Sequence, residues 1–215
     1  MSHILTELPQ GFGSWEEYAA SLVAENRELR GENARLKTEN ELDELTGVMS
    51  RRALERTLNG YMESGEDFAL AKIDLDGFGE DINDRYGHAE GDRVLARFGR
   101  FMYGNLRRRG TDSVGRMGGD EFLLALEGTD GYRAWIKIEE TLNRWQEAYR
   151  RMRPEFNLQP EQVNFSCGVS EYSGGEQPQP SITETAVYHQ ADTALYQAKR
   201  NGKNRVVLFQ TGMRM

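Results

Sequence analysis

Beyond residue 43, short apolar runs of strand length alternate with longer segments whose apolar residues recur at helical spacing. Residues 68–74 form one such run, and residues 135–152 carry Trp135, Ile138 and Trp145 along one helical stripe. Chains with this alternation fold most simply as helices packed on a sheet. We therefore predict an α/β fold, an α+β sandwich in which helices flank a mixed central sheet. The predicted helices are 51–62, 90–106, 135–152 and 186–200, and the predicted strands are 68–74, 113–117, 121–126, 163–170 and 205–209.

Residues 14–42 carry a seven-residue apolar repeat that is typical of a coiled coil. Ser14 and Glu17 have the spacing of a capping box, which marks the start of a helix. Position d holds Trp15, Leu22, Leu29 and Leu36, and position a holds Ala19, Asn26, Asn33 and Asn40. Leu at d with Asn at a favours a parallel pair of helices, and a single helix lying on its own domain is the alternative. We expect a flexible lead segment at 1–13, a coiled-coil stalk at 14–42 and a globular domain at 43–215.

The composition excludes several classes of protein. The formal net charge of −8 argues against a protein that binds nucleic acid polymers through a basic face. A single cysteine rules out an intramolecular disulfide and a thiolate zinc cluster. Because no apolar stretch approaches the roughly 18 residues that span a bilayer, we expect no membrane insertion and a location in the cytosol.

Two pairs of acidic residues lie where predicted strands begin or end. Asp74 and Asp76 follow one apolar run, and Asp120 and Glu121 follow the glycine pair Gly118-Gly119. Carboxylates grouped in this way suit a Mg²⁺ site for a triphosphate, because hard cations take oxygen ligands and share them with phosphate. Glycines lack a Cβ atom, so they let the backbone approach a nucleotide closely. The alternative for the glycine pair by itself is an ordinary β-turn with incidental acids.

The string Gly118-Gly119-Asp120-Glu121-Phe122 resembles the signature of the GGDEF family of bacterial diguanylate cyclases. Other strings similar to the family occur around it in the family's order, at 43–47, 74–78, 83–92, 164–170 and 191–204. The resemblance runs from about residue 43 to residue 207. It implies a fold like that of nucleotidyl cyclases and polymerase palm domains, and it implies the condensation of two GTP into cyclic di-GMP with release of pyrophosphate.

The resemblance also implies a metal and catalytic site. Asp74, Glu121 and the backbone carbonyl of Leu75 would hold two Mg²⁺ (or Mn²⁺) ions per active site. Asp120 would lie beside them, either as a further ligand or as the group that takes the proton from the attacking 3′-hydroxyl. In this reading both Asp120 and Glu121 are catalytic.

Contacts with the GTP substrate are implied at several matching positions. Asn83 and Asp92 would recognise guanine, and Lys199 and Lys203 would neutralise phosphate oxygens. The glycine turn and one aromatic residue would shape the pocket wall, and a histidine at a helix start is a weaker candidate. The full set is Phe78, Asn83, His88, Asp92, Gly118, Gly119, Lys199 and Lys203.

Arg109 and Asp112 stand ahead of the signature, where the family carries an RxxD site for feedback inhibition by its cyclic di-GMP product. Arg116 is expected to assist the same site. By spacing alone, an Arg and an Asp three residues apart indicate only a surface ion pair.

We expect two kinds of protein partner. Because one domain would hold one GTP, two domains must face each other, and a homodimer through residues 14–42 would bring them together. A regulatory protein that binds residues 1–42 is the second expected partner, since we recognise no sensory domain ahead of the stalk.

The chain departs from the family pattern after the metal-binding aspartate. The family has a lysine after Phe78 and an asparagine eight residues beyond that aspartate, whereas here Gly79 follows Phe78 and Asn83 lies nine residues beyond Asp74. We therefore expect a bulged loop with one extra residue that still delivers Asn83. The alternative function is a catalytically weak or inactive domain that acts as a cyclic di-GMP receptor or a partner-docking module.

Overall fold

The computed structural model describes residues 8–39, 41–106, 112–152, 163–173 and 185–214. The chain divides into two compact units, residues 1–40 and residues 41–215. None of the helices in these described ranges is long and apolar enough to cross a bilayer.

The first unit contains one long helix, α1 (Trp15–Glu39). The backbone N–H of Glu17 donates to Ser14 Oγ at 3.1 Å, and the Glu17 carboxylate accepts from the backbone N–H of Gly13 at 2.8 Å. The first bond satisfies a backbone donor that a helix start leaves unpaired, and the second ties the residue before the cap to the first turn. The helix therefore begins where the capping-box spacing predicted.

The second unit is built on one six-stranded sheet with the strand order β1-β3-β4-β2-β5-β6. The strands are β1 (Met49–Ser50), β2 (Phe68–Leu75), β3 (Ser113–Gly118), β4 (Glu121–Glu127), β5 (Phe165–Tyr172) and β6 (Val206–Leu208). The helices are α2 (Arg51–Ser64), α3 (Asp84–Tyr86), α4 (His88–Leu106), α5 (Gly131–Met152) and α6 (Ala186–Arg200), with a π-helical turn at Phe78–Asn83. Two strand pairs are parallel and three are antiparallel, so the mixed sheet flanked by helices confirms the predicted fold class.

Helices cover both faces of the sheet and enclose two apolar cores. The larger core lies between the sheet and helices α4 and α5, and the smaller one lies between the sheet and helices α2 and α6. All eight residues of β2 are buried, because the strand lies in the middle of the sheet and is covered on both sides. This explains why residues 68–74 read as a continuous apolar run with no alternation.

Three short elements were not predicted from the sequence: β1, α3 and the π-helical turn. Each spans six residues or fewer, which is too short for a periodic pattern to stand out. Helix α5 also begins at Gly131, four residues earlier than predicted. Its start is capped by Asp130, whose Oδ1 accepts from the backbone N–H of Arg133 at 2.7 Å.

Candidate active site

The antiparallel register of β2 and β4 brings the two expected metal ligands together. Asp74, next to last in β2, lies directly opposite Glu121, the first residue of β4. The backbone N–H of Leu75 reaches the carbonyl oxygen of Asp120 at 3.4 Å, which ties the end of β2 to the β3–β4 turn. Two carboxylates that are 47 positions apart in the chain thus become neighbours because strand pairing places them side by side.

The turn between β3 and β4 depends on its two glycines. Gly118 has a φ of 152° and Gly119 a φ of 53°, both in the region that favours glycine. A Cβ atom at either position would have no atom within 4 Å, so the space above the turn is open. The turn therefore keeps the backbone next to Asp120 and Glu121 accessible.

A lysine from helix α6 contacts the acidic pair. Lys199 Nζ lies 2.7 Å from Asp74 Oδ2, and the Asp74 side chain is only 12% exposed whereas that of Lys199 is 37% exposed. Lys203 lies four residues further along, in the exposed turn that follows α6. Lys199, one of the two lysines expected to bind phosphate, thus forms an ion pair with Asp74, an expected metal ligand.

A second lysine in the site was missed by sequence reasoning. Lys72 is 6% exposed, and its Nζ lies 2.5 Å from Asp192 Oδ1 and 3.6 Å from Glu121 Oε1. Burial acts to lower the pKa of Lys72, but the hydrogen bond to Asp192 and nearby charges, among them Glu121, outweigh it and raise the pKa. Lys72 therefore holds its charge beside Glu121. It is the lone charged residue within the apolar run 68–73, a signal that was available in the sequence.

Asp120 lies in a partly buried position beside the other carboxylates. Burial, followed by the negative charge of Asp74, raises the pKa of the Asp120 carboxyl above its usual value. A carboxylate whose pKa is shifted towards neutrality is a better proton acceptor than an ordinary surface aspartate.

The loop after Asp76 accommodates its extra residue as a π-helical turn at Phe78–Asn83, in place of the predicted bulged loop. The backbone N–H of Asp84 donates to the carbonyl of Gly79, five residues earlier, which is the bond that defines a π-helix. A single inserted residue is often absorbed in this way because the turn widens and the flanking structure keeps its place. Gly79 occupies the position where the family has a lysine, so this turn offers no cation there.

The π-helical turn places Asn83 against helix α4. A Cβ atom at Gly91 would overlap Asn83 Oδ1 and would lie 3.1 Å from Phe78 Cζ. Gly91 therefore leaves the room that the Asn83 amide occupies. Phe78 is buried in the larger core, so the side chain expected at the pocket wall packs inward beneath Gly91. His88 and Asp92 are exposed near the start of α4.

The structure describes two of the three expected inhibitory residues, and each of the two contacts a different partner. Arg109 lies outside the described residues. The Asp112 side chain is almost fully buried and contacts Lys137 Nζ on α5. Arg116 donates from Nη1 to both carboxylate oxygens of Asp43, at 3.2 and 3.3 Å, and from Nε to the carbonyl of Gly119 at 2.8 Å. Arg116 thus braces the glycine turn, and its part in product binding stays a prediction.

The acidic pair fits a divalent cation that arrives with a triphosphate. Across the residues that the structure describes, no three His, Cys, Asp or Glu side chains converge as a ready-made metal cage. Mg²⁺ is commonly held by one or two carboxylates together with substrate phosphates. Asp74 and Glu121 supply two such carboxylates. The residues therefore fit a shared site better than one built by the protein alone.

Comparison with known proteins bears on the identity of this site. A family model described as "Diguanylate cyclase, GGDEF domain" matches residues 40–205. The chain belongs to the GGDEF family. The match includes both strands of the hairpin, the π-helical turn and helix α6, so the candidate site lies within the GGDEF domain.

Curated relatives of this GGDEF domain include several named diguanylate cyclases. Diguanylate cyclase A of Treponema denticola is 35% identical over 152 residues, which cover 71% of this chain and 38% of that protein. Diguanylate cyclase DgcP of Pseudomonas aeruginosa is 34% identical over 76% of this chain and 23% of its own length. The probable diguanylate cyclase DgcC of Escherichia coli is 32% identical over 94% of this chain and 50% of its length. The chain thus spans half or less of the length of these relatives.

Solved structures of GGDEF proteins share the fold. The coiled coil and GGDEF domain of DgcB from Caulobacter crescentus, in complex with c-di-GMP, has a TM-score of 0.69 and 27% identity, covering 90% of this chain and 98% of that one. Diguanylate cyclase SiaD in complex with its activator SiaC, from Pseudomonas aeruginosa, has a TM-score of 0.65 and 30% identity over 89% of this chain and 71% of that one.

Proposed function

We propose that this protein is a diguanylate cyclase, which joins two GTP molecules into cyclic di-GMP and releases pyrophosphate. The observation that carries the proposal is the pairing of Asp74 with Glu121 at the glycine turn, with Asp120 beside them and Lys199 in contact. The family membership supports the same reaction, since the named relatives are diguanylate cyclases.

The negative charge of the triphosphate is neutralised in two ways, by metal ions held at the acidic pair and by the lysines. Asp74, Glu121 and the Leu75 carbonyl would hold two Mg²⁺ or Mn²⁺ ions, and such ions would supply positive charge to neutralise the phosphates. Lys199 releases its ion pair with Asp74 and binds a phosphate oxygen instead. Lys203, in the turn after α6, binds another phosphate oxygen. Lys72 keeps its hydrogen bond to Asp192, and its positive charge holds the Glu121 carboxylate in position.

Asp120 is the residue best suited to accept the proton of the attacking 3′-hydroxyl. Its carboxylate lies next to both expected metal ligands, Asp74 and Glu121, where a proton acceptor for the 3′-hydroxyl is needed. The 3′-oxygen of one nucleotide then attacks the α-phosphorus of the other, and the bond to the leaving pyrophosphate breaks in line.

Guanine is recognised by residues of the π-helical turn and the start of helix α4. The Asn83 amide can donate to and accept from the guanine edge, and the Asp92 carboxylate accepts from the N1–H and N2–H₂ donors that adenine lacks. The glycine turn lets the nucleotide approach the backbone, and His88 borders the same region.

The reaction needs two domains, because each holds one GTP, and we propose a homodimer through the stalk. Trp15, Leu22 and Leu29 are 48%, 44% and 50% exposed on α1, which is a high exposure for large apolar side chains at heptad d positions. A parallel stalk would raise the concentration of one domain near the other to about the millimolar range. Residues 1–42 also offer a surface for a regulatory protein, and SiaD, a similar cyclase, is known with its activator SiaC.

Product feedback at Arg109 and Asp112 is part of the proposal, with cyclic di-GMP as the ligand. The contact between Asp112 and Lys137 means that a guanine edge would have to compete with an internal cation for the Asp112 carboxylate. We therefore expect weaker feedback than an unpaired aspartate would give.

The decisive experiment incubates the purified chain with GTP and Mg²⁺ and identifies the product by mass. Glu121→Gln should abolish product formation, because it removes a negatively charged oxygen donor and keeps the shape. Glu127→Gln, at the other end of the same strand, is the matched control and should leave the rate unchanged. A wild-type protein that binds cyclic di-GMP and makes none would establish the receptor function instead.

The role of the stalk is tested by repeating the assay across protein concentration. The specific activity should rise with concentration as dimers form. A chain lacking residues 1–40 keeps the second compact unit whole and should lose activity at low concentration. Equal activity of both chains at low concentration would refute the stalk dimer and any control through it.

A further inference from the structure

Asp76 has a different task from its neighbour Asp74. Strand β2 ends at Leu75, and the Asp76 backbone N–H donates to the carbonyl of Asn164 at 2.9 Å. One side-chain oxygen, Oδ1, accepts from Ser166 Oγ at 2.6 Å, and the other, Oδ2, accepts from the backbone N–H of Asn204 at 2.8 Å. Both carboxylate oxygens are thus bound within the protein, which leaves Asp76 poorly placed as a metal ligand.

The partner of Oδ2 lies in a turn with an unfavourable backbone. This turn, residues 201–205, is called here the Lys203 turn. Lys203 and Asn204 have φ values of 59° and 50°, so two consecutive residues with side chains adopt the left-handed region. Such a conformation persists only where the surroundings hold it in place.

Three hydrogen bonds join Lys203 and Asn204 to residues outside the Lys203 turn. The ends of the turn are held separately, by helix α6 and by the Cys167 N–H, which donates to the carbonyl of Arg205 at 2.9 Å. The Lys203 N–H donates to the carbonyl of Ala198 at 3.1 Å, and Gln146 Nε2 donates to Asn204 Oδ1 at 2.7 Å. The third is the bond from the Asn204 N–H to Asp76. The first two bonds tie the turn to helices α6 and α5, and the bond to Asp76 is the one that ties it to the end of the metal-binding strand.

We propose that Asp76 is a positioning residue that sets the Lys203 turn at a fixed distance from Asp74. The residue contacts neither nucleotide nor metal and acts through Lys203, so this inference rests on the proposed function in so far as Lys203 binds triphosphate. Ser166 orients the carboxylate by occupying Oδ1, which leaves Oδ2 aimed at the turn. Strand β2 thereby carries the metal ligand and, two residues later, the anchor of a phosphate-binding lysine.

The test uses Asp76→Ala, which removes both acceptor oxygens, whereas an asparagine there could still accept from the Asn204 N–H and donate to Ser166 Oγ. We expect the backbone amides of residues 201–206 to exchange hydrogen at least about tenfold faster, because the Asn204 N–H loses its charged acceptor. The KM for GTP should rise about tenfold with a smaller change in kcat, since a displaced Lys203 weakens binding of ground and transition states alike. The affinity for Mn²⁺ in the absence of nucleotide should stay within about twofold of the wild-type value.

Two further variants frame this result. Asp130→Ala makes the same chemical change at the cap of α5 and should change none of the three measurements. Ser166→Ala retains Asp76 and frees its Oδ1, so it should produce the same pattern with a smaller amplitude.

The outcomes separate the positioning role from the proposed function. Unchanged hydrogen exchange at residues 201–206 in Asp76→Ala would overturn the proposal whether or not the protein turns over GTP. A large loss of Mn²⁺ affinity in Asp76→Ala would overturn it in favour of direct metal ligation. If wild type makes no product but the exchange result holds, the cyclase assignment fails while the anchoring of the turn stands.

Discussion

Helix α6 packs so closely on strand β5 that only a glycine fits at position 168. A Cβ atom there would overlap the carbonyl oxygen of Ala191 and the backbone nitrogen of Leu195, both well inside the 3.0 Å that real Cβ atoms essentially never cross. These are backbone atoms of the helix, so no rotation of a side chain relieves the overlap. Because an ordinary Cβ contact begins at 3.4 Å, Gly168→Ala must move α6 by about 1 Å or more.

The cost of that movement follows from what α6 buries. Five of its side chains are buried against the sheet, and overpacking of a close-packed interior costs about 1–3 kcal/mol even where side chains can yield. Since backbone must yield here, we expect Gly168→Ala to lower the free energy of unfolding by about 3 kcal/mol or more. For a chain of this size the Tm should fall by about 6–12 °C.

Gly60 provides a matched control for the same substitution. It lies exposed within helix α2, and a Cβ atom there would have no neighbour within 4 Å. Gly60→Ala should therefore stabilise the protein by about 0.5–1 kcal/mol, since alanine favours the helix. Urea unfolding followed by circular dichroism measures both variants. A Gly168→Ala protein within about 1 kcal/mol of wild type would refute the close packing of α6 on β5.

Two further predictions concern charges. Lys199→Met should tighten Mn²⁺ binding in the absence of nucleotide by about fivefold, because it removes a partly exposed cation from Asp74. Electron paramagnetic resonance measures this affinity, and weaker or equal binding would contradict the prediction. Partial burial opposes ionisation of Asp43, but hydrogen bonds from Thr46 and the charge of Arg116 outweigh it and lower the pKa of the Asp43 carboxyl. This stabilisation is present above about pH 4 and is lost as the pH falls through the lowered pKa. Asp43→Asn should therefore lower the free energy of unfolding by about 1–2 kcal/mol at pH 7. Thermal scans should show that the difference in stability between this variant and wild type shrinks below about pH 4. A difference that does not vary with pH would contradict the ion pair.

Much of the fold was predictable because its signals are local. Apolar spacing indicated four of the helices and five of the strands of the second unit, and the capping spacing at Ser14 marked the start of α1. The glycine pair followed by Asp120 and Glu121 indicated a turn with carboxylates before any tertiary contact was known. These features depend on residues close together in the chain, whose preferences act before the chain packs.

The contacts that shape the candidate site were beyond prediction because they join distant positions. Lys72 meets Asp192 across 120 residues, and Arg116 meets Asp43 across 73. Neither ion pair can be predicted from apolar periodicity, since each depends on the order of strands in the sheet and on where a helix packs against it. The extra residue before Asn83 was visible in the sequence, whereas the structure was needed to show the π-helical turn and the packing of Phe78 and Asn83 against Gly91.

The contrast between Asp74 and Asp76 shows where the two sources of information divide. The sequence by itself determined that two carboxylates follow an apolar strand, that two more follow a glycine turn, and that lysines follow in a closing helix. Only the tertiary structure decided that Asp74 pairs with Glu121 and Lys199, while Asp76 turns to Ser166 and Asn204. The physical reason is that a carboxylate takes its task from the donors that the fold brings within about 3 Å of it, and those donors are set by strand register and helix packing.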